Sequence, residues 1–154
     1  GAWAYEQQLL GYNYRMSDIH AALGLNQLKR LDEIVFERNR QFCFYKELLD
    51  NLPLRILKIP KEVNSSIHLA IIRLKNKDPS YHKNLFNKLR TSGIGVQIHY
   101  TPIHLHPYYR KFGFSEGDFP EAEFYSKNAM SLPLFIGLSE NDQIEIANSL
   151  KNYL

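Results

Sequence analysis

Two stretches of the chain carry side chains suited to holding a charged ligand. The first is Gly11-Tyr12-Asn13-Tyr14-Arg15-Met16-Ser17-Asp18. Here a glycine turn feeds a helix start with Ser17 as its N-cap. Free N–H groups and the helix dipole attract anions to such a place. Asn13 and Arg15 add side-chain donors for a phosphate. The same residues also read as an ordinary turn before a capped helix. The second stretch is Ile98-His99-Tyr100-Thr101-Pro102-Ile103-His104-Leu105-His106-Pro107-Tyr108-Tyr109, with three histidines and three tyrosines. It follows an expected strand, where α/β folds gather ligand contacts. Histidines at this spacing match no zinc-ligand signature and have no partner thiol, so no metal is expected. Ligand contact and a loop of half-buried aromatic tips are the two readings left open.

Two other features carry less. Ser80-Tyr81-His82-Lys83 has the Ser-x-x-Lys spacing of some acyl-transfer enzymes. It sits in the first turn of a helix and lacks the companion motifs, so Ser80 and Lys83 read as solvated helix residues. Cys43 is the sole cysteine, inside a helix with no histidine near. It reads as a buried or half-buried structural thiol.

The elements that must position these residues follow from periodicity and punctuation. From Asp18 no proline occurs until Pro53, and Leu28, Leu31, Val35, Phe42, Tyr45 and Leu49 recur at steps of three and four. This predicts one long helix from Asp18 to about Asp50, bent near Asp32. Leu54 to Ile59 and Ile67 to Leu74 read as strands. Asp78-Pro79 opens a helix to about Ser92, stopped by Gly93. Ile94 to Tyr100 reads as a third strand. Phe119 to Met130 reads as a helix, Leu132-Pro133-Leu134 as extended, and Ser139 caps a last helix to Tyr153 with Asp142 in the capping-box position. The expected class is α/β, a long leading helix followed by a small sheet with packed helices. Residues 1–50 would be a linker and interdomain helix, and residues 51–154 a small α/β domain.

Bulk composition narrows the partners. With 154 residues and 44% hydrophobic side chains, the chain is large and apolar enough to build a core. Its 19 basic and 16 acidic side chains are intermixed, giving a formal charge of only +3, which points away from nucleic acid. No apolar run is long enough to span a bilayer, and no signal peptide is visible. One cysteine suits a reducing, cytoplasmic setting. The chain starts with Gly1 rather than Met and reads as part of something longer.

The segment from Gly11 to Leu31 resembles the DegT-type sugar aminotransferases, which commonly read G-x-N-x-R-M-[ST]-[DE]-x-x-A-A-x-G-x-x-Q-L here. The agreement covers about twenty positions. Gly95-Val96-Gln97-Ile98-His99-Tyr100-Thr101-Pro102-Ile103-His104 resembles the last ten positions of that family's G-[IV]-x-x-x-x-H-Y-x-P-x-H, and Ser131-Leu132-Pro133-Leu134 its S-L-P-L. Within the family the likeness is greatest to transaminases of the pseudaminic acid pathway, which aminate a UDP-linked 4-keto sugar.

The resemblance implies the C-terminal region of an aspartate-aminotransferase-type fold, pyridoxal 5'-phosphate (PLP) as cofactor, and a homodimer with its active site at the subunit interface. It implies amino transfer from glutamate to a keto group of a nucleotide-linked sugar in polysaccharide or glycan biosynthesis. Asn13 would reach the PLP phosphate of the other subunit, and Arg15 would support that turn or the substrate. His99, Tyr100, His104 and Tyr108 would face the nucleotide-sugar, and His68 would be structural. The lysine that binds PLP as an aldimine lies upstream of this motif in the family, so no lysine here is assigned that role. By itself the chain would then be inactive. A PLP-dependent sugar dehydratase of the same fold, and a non-catalytic binding fragment, are the rival readings.

Overall fold

The computed structural model describes residues 6–12, 14–75 and 78–154. They form two compact units, one ending at Asp32 and the other running Glu33–Leu154. The first unit holds α1 (Asp18–Leu28). Ser17 caps it, its side chain accepting from the His20 N–H, and Asp18 stands in the first turn as expected. No residue of α1 is buried. Leu23 is 60% exposed and Leu28 63%.

The predicted single helix is broken. α1 ends at Leu28 and α2 spans Leu31–Leu49. At the break the Arg30 N–H bonds the Gln27 carbonyl, three residues back, and the Lys29 bond to Leu25 is stretched to 3.3 Å. This tightened turn is a usual way for a helix to end. The apolar spacing continues through the break, which is why it reads as continuous.

In the second unit, β1 (Leu54–Ile56), β2 (Ala70–Leu74) and β3 (Ala129–Leu132) make an antiparallel sheet in that order. Alternation places Ala70, Ile72 and Leu74 in the core. Against them pack Phe42, Tyr45 and Leu49 of α2, Leu85 and Leu89 of α3 (Pro79–Thr91), and Ile146, Ala147 and Leu150 of α6 (Glu140–Tyr153). Each helix thus contributes one stripe at steps of three and four. α3 begins on Asp78, whose carboxylate accepts the Ser80 N–H and hydroxyl. It ends at Gly93, whose φ of 81° suits glycine. The capping box of Ser139 and Asp142 is formed.

Two expectations fail on the same strand. Ile94 to Tyr100 is not a full strand: Ile94 and Val96 are buried, but only Gln97 pairs, with Ser131. The third strand is instead Ala129–Leu132, whose first two residues were expected to end a helix. That helix is α5 (Pro120–Ser126), stopped at Lys127 and Asn128. Ala, Met and Leu are good helix formers, and only the open edge of β2 selects the strand. Cys43 is also corrected: it is exposed, on the outer side of α2. Ser80 and Lys83 are exposed helix residues as expected.

α2 also fixes the irregular segments around the sheet. Arg38 Nη1 donates to the carbonyls of Ile67 and His68 and lies 3.3 Å from His68 Nδ1, while Asn39 donates to Ser65. Gln41 donates to the carbonyls of Phe135 and Leu138, and Tyr45 to that of Pro133. Burial pushes the Tyr45 phenol well above its ordinary value, so it remains a donor.

Ile72 has no exposed surface, so Ile72→Ala should cost about 2–5 kcal/mol. Urea unfolding should show this as a lower midpoint at unchanged slope. The uncovered leucines of α1 predict self-association of the chain at high concentration. Sedimentation should detect species larger than a monomer, and Leu23→Glu with Leu28→Glu should return them to the monomer.

Candidate functional site

The described residues place the phosphate-type donors in the first unit and the histidine–tyrosine stretch in the second. Arg15 is exposed, two residues before the Ser17 cap. Asn13 lies outside the described residues. The donors seen there, a guanidinium and the first-turn N–H groups of an 11-residue helix, are chemically suited to a phosphate.

In the second unit the chain leaves Gln97 and runs through a 3-10 turn (Ile103–Leu105), α4 (Pro107–Arg110) and a loop to α5. Proline sets each start: Pro102 precedes the 3-10 turn and Pro107 opens α4. The histidines are gripped from behind. His99 Nε2 lies 2.8 Å from the Ser131 hydroxyl of β3, and its Nδ1 is buried without a partner. Its ring meets Tyr100 edge-on at 4.7 Å across a cis peptide. His106 Nε2 bonds the Thr101 carbonyl.

His104 departs from expectation. It was expected to face a ligand, but its side chain is only 7% exposed, and Nε2 lies 2.9 Å from Glu123 Oε1. Glu123, itself buried, also accepts the Gly117 N–H at 2.8 Å. The ring packs on Phe119 at 4.8 Å. One carboxylate thereby ties the 3-10 turn, the loop after α4 and α5 together. The bond from His104, and then that from Gly117, hold the Glu123 carboxyl below its ordinary value, with desolvation opposing them.

The tyrosines stand outward. Tyr100 is 72% exposed and Tyr108 61%. Tyr108 meets Tyr109 and Phe112 edge-on, with Lys111 Nζ 5.8 Å from its ring centroid. In the same segment an apolar cavity of about 500 Å³ is lined by Pro102, Ile103, His104, Tyr109, Phe114 and Phe119, with Ala122. The loop thus offers free phenols and an apolar wall on a backbone held by buried polar pairs. It can recognise a ring-bearing polar ligand through stacking and hydroxyl hydrogen bonds. Ser131 and Glu123 were not foreseen. Ser131 was visible only within Ser-Leu-Pro-Leu, and Glu123 looks like any acid in a helix's first turn. Among the described residues no group of three or more acidic, histidine or cysteine side chains is placed to hold a metal, and no helix is long and apolar enough to cross a membrane.

The chain matches the DegT/DnrJ/EryC1/StrS aminotransferase family over residues 2–151. It is 33% identical over 156 residues to the spore coat polysaccharide biosynthesis protein SpsC of Bacillus subtilis, covering 99% of this chain and 40% of that protein. It is 35% identical over 153 residues to the UDP-4-amino-4,6-dideoxy-N-acetyl-β-L-altrosamine transaminase of Campylobacter jejuni, covering 99% of this chain and 40% of the enzyme. Among solved structures, a putative sugar aminotransferase of Streptococcus pneumoniae in its PMP form superposes with a TM-score of 0.91 at 29% identity, over 99% of this chain and 39% of that one. The chain therefore spans about 40% of the length of these curated relatives.

The Glu123 knot gives a pH signature. A carboxyl with a depressed folded pKa stabilises the fold above its unfolded pKa and loses that contribution as pH falls through the folded value. Stability should therefore decline below the ordinary glutamate value of 4.5. Glu123→Gln should be less stable at neutral pH and show a shallower acid limb in melting temperature against pH. Asp78 and Asp142, also held below their ordinary values by bonds from Ser80 and Ser139, would supply the slope that persists.

Proposed function

The chain belongs to the DegT/DnrJ/EryC1/StrS aminotransferase family, and from that premise we propose that it is the C-terminal part of a PLP-dependent nucleotide-sugar aminotransferase. Residues 1–50 act as linker and interdomain helical segment, whose second helix, α2, docks on the small domain of residues 51–154 and shares its core. The whole enzyme moves an amino group from glutamate to a keto group of a UDP-linked sugar, for polysaccharide or glycan biosynthesis, as a cytoplasmic homodimer. When bound, PLP supplies the electron sink that makes nitrogen transfer between donor and sugar possible.

The roles proposed for this chain are binding and orientation. Asn13 and Arg15, with the start of α1, hold the cofactor phosphate of the partner subunit. Tyr100 and Tyr108 bind the nucleotide-sugar through their free phenols, and His99, held by Ser131, supports the Tyr100 ring edge-on. His104 serves the same ligand indirectly, by holding the loop through Glu123. No residue of the chain is assigned the covalent attachment of PLP. The observation that carries this reading is the loop itself, with its histidines anchored inside and its tyrosines 72% and 61% exposed outside. Such a preorganised recognition surface is more than a packing element needs. A sugar dehydratase of the same fold would use the same surface, and the residue that attaches or replaces the PLP lysine separates the two.

Mixed with PLP, the 154-residue chain should retain no cofactor absorbance after dialysis and turn over no keto sugar. A stoichiometric, dialysis-stable chromophore with turnover would sink the fragment reading. In the full-length protein Asn13→Ala should weaken PLP binding roughly ten- to a hundredfold, because one hydrogen bond to a charged group is lost. Mixing Asn13→Asp with a variant lacking the PLP lysine should restore activity, up to about half of wild type in each mixed dimer. No recovery despite confirmed subunit exchange would remove Asn13 from the partner's site.

A further inference from the structure

Three cationic residues lie together on the sheet, around the pairing of β1 with β2. β1 and β2 are antiparallel with Arg55 directly opposite Arg73. Directly opposed residues project to the same face, and Lys75, two residues after Arg73, shares that face. The neighbouring Leu54, Ile72 and Leu74 turn the other way, into the core. Like charges facing each other across a strand pair are destabilising. Nothing among the described residues neutralises them here: no carboxylate pairs with Arg55, Arg73 or Lys75. The cations are instead arranged for use. The Arg73 guanidinium carbon lies 5.7 Å from the ring centroids of both Phe124 and Tyr125, which fixes the fork without consuming its donors. Arg55, Arg73 and Lys75 line a cavity of about 330 Å³ together with Phe124.

We propose that Arg55, Arg73 and Lys75 form a binding site for the phosphate group of a small molecule. The planar guanidinium forks bind phosphate oxygens in pairs, and Lys75 adds a point charge. Bound phosphate supplies the missing counter-charge, so occupancy relieves the repulsion between the strands. The Phe124 ring in the wall leaves room for the remainder of an organic phosphate.

The test is a titration of the full chain at constant ionic strength with inorganic phosphate, pyrophosphate and phenyl phosphate, read by backbone and arginine side-chain NMR. Saturable shifts should concentrate at Arg55, Arg73 and Lys75. Arg55→Met and Arg73→Met should each weaken binding by about tenfold or more. Arg55 is exposed, so its variant serves even where Arg73→Met disturbs the fold. Arg55→Glu should do two opposite things: raise the melting temperature by giving Arg73 a cross-strand partner, and abolish the phosphate response. Tighter binding of phenyl phosphate than of phosphate would identify an organic phosphate as the occupant. Equal binding would identify the phosphate group alone, and both results sustain the site. Shifts that chloride reproduces, or that persist unchanged in Arg55→Met, overturn the proposal. So does binding of oligoglutamate in the absence of any phosphate response, which would make this face a dock for an acidic protein.

Discussion

Ala129–Leu132 is only four residues long, buried throughout, and bonded on every side. Along one edge it pairs with β2 from Ala129 to Leu132. On the other it exchanges both backbone bonds with Gln97 at Ser131. The Ala129 carbonyl takes the ring N–H of buried His82, whose pKa burial lowers despite that bond, so the ring stays neutral. One residue beyond, the Pro133 carbonyl takes the Tyr45 hydroxyl. A buried strand cannot leave its polar groups unpaired, so its position fixes its partners. The helix that carries Tyr45, the loop that begins at Gln97 and the orientation of His99 all follow from where this strand is laid.

The same strand shows where a reading of the sequence succeeds and where it stops. Elements with a local cause were legible. Ser17, Asp78 and Ser139 announce helix starts through side-chain caps, and Gly93 announces a stop through its positive φ. The alternation of Ala70, Ile72 and Leu74 announces a buried strand face. Elements with a tertiary cause were not. Ala129 and Met130 favour a helix by themselves and become a strand because β2 has an open edge. Ile94 to Tyr100 has strand composition, but its neighbour is short, and one bridge is all it finds. The interruption at Lys29 and Arg30 leaves the apolar spacing intact and so leaves no mark in it.

The recognition loop divides in the same way. Its aromatic and histidine content, directly after a strand-like run, marked it as a place for ligand contact. Which side chains face outward depended on partners far along the chain. Glu123 turns His104 inward from 19 residues away, and Ser131 orients His99 from 32 residues away. No periodic signal encodes such pairings. They decide that the phenols rather than the imidazoles form the outermost surface of the loop, and that the backbone carrying them is tied at both ends.

The open edge of the sheet has a further consequence. β1 lies outermost, and a strand with an unpaired edge is a template on which another chain can add. Here that edge is only three residues long, begins directly after Pro53, and carries the Arg55 cation at its middle. Proline withholds a ladder donor, brevity limits the register available, and a charged side chain repels a second copy bearing the same charge. Two neighbouring cations that strain the native sheet therefore also keep it from growing, guarding the chain against the edge-to-edge stacking that leads to insoluble aggregates.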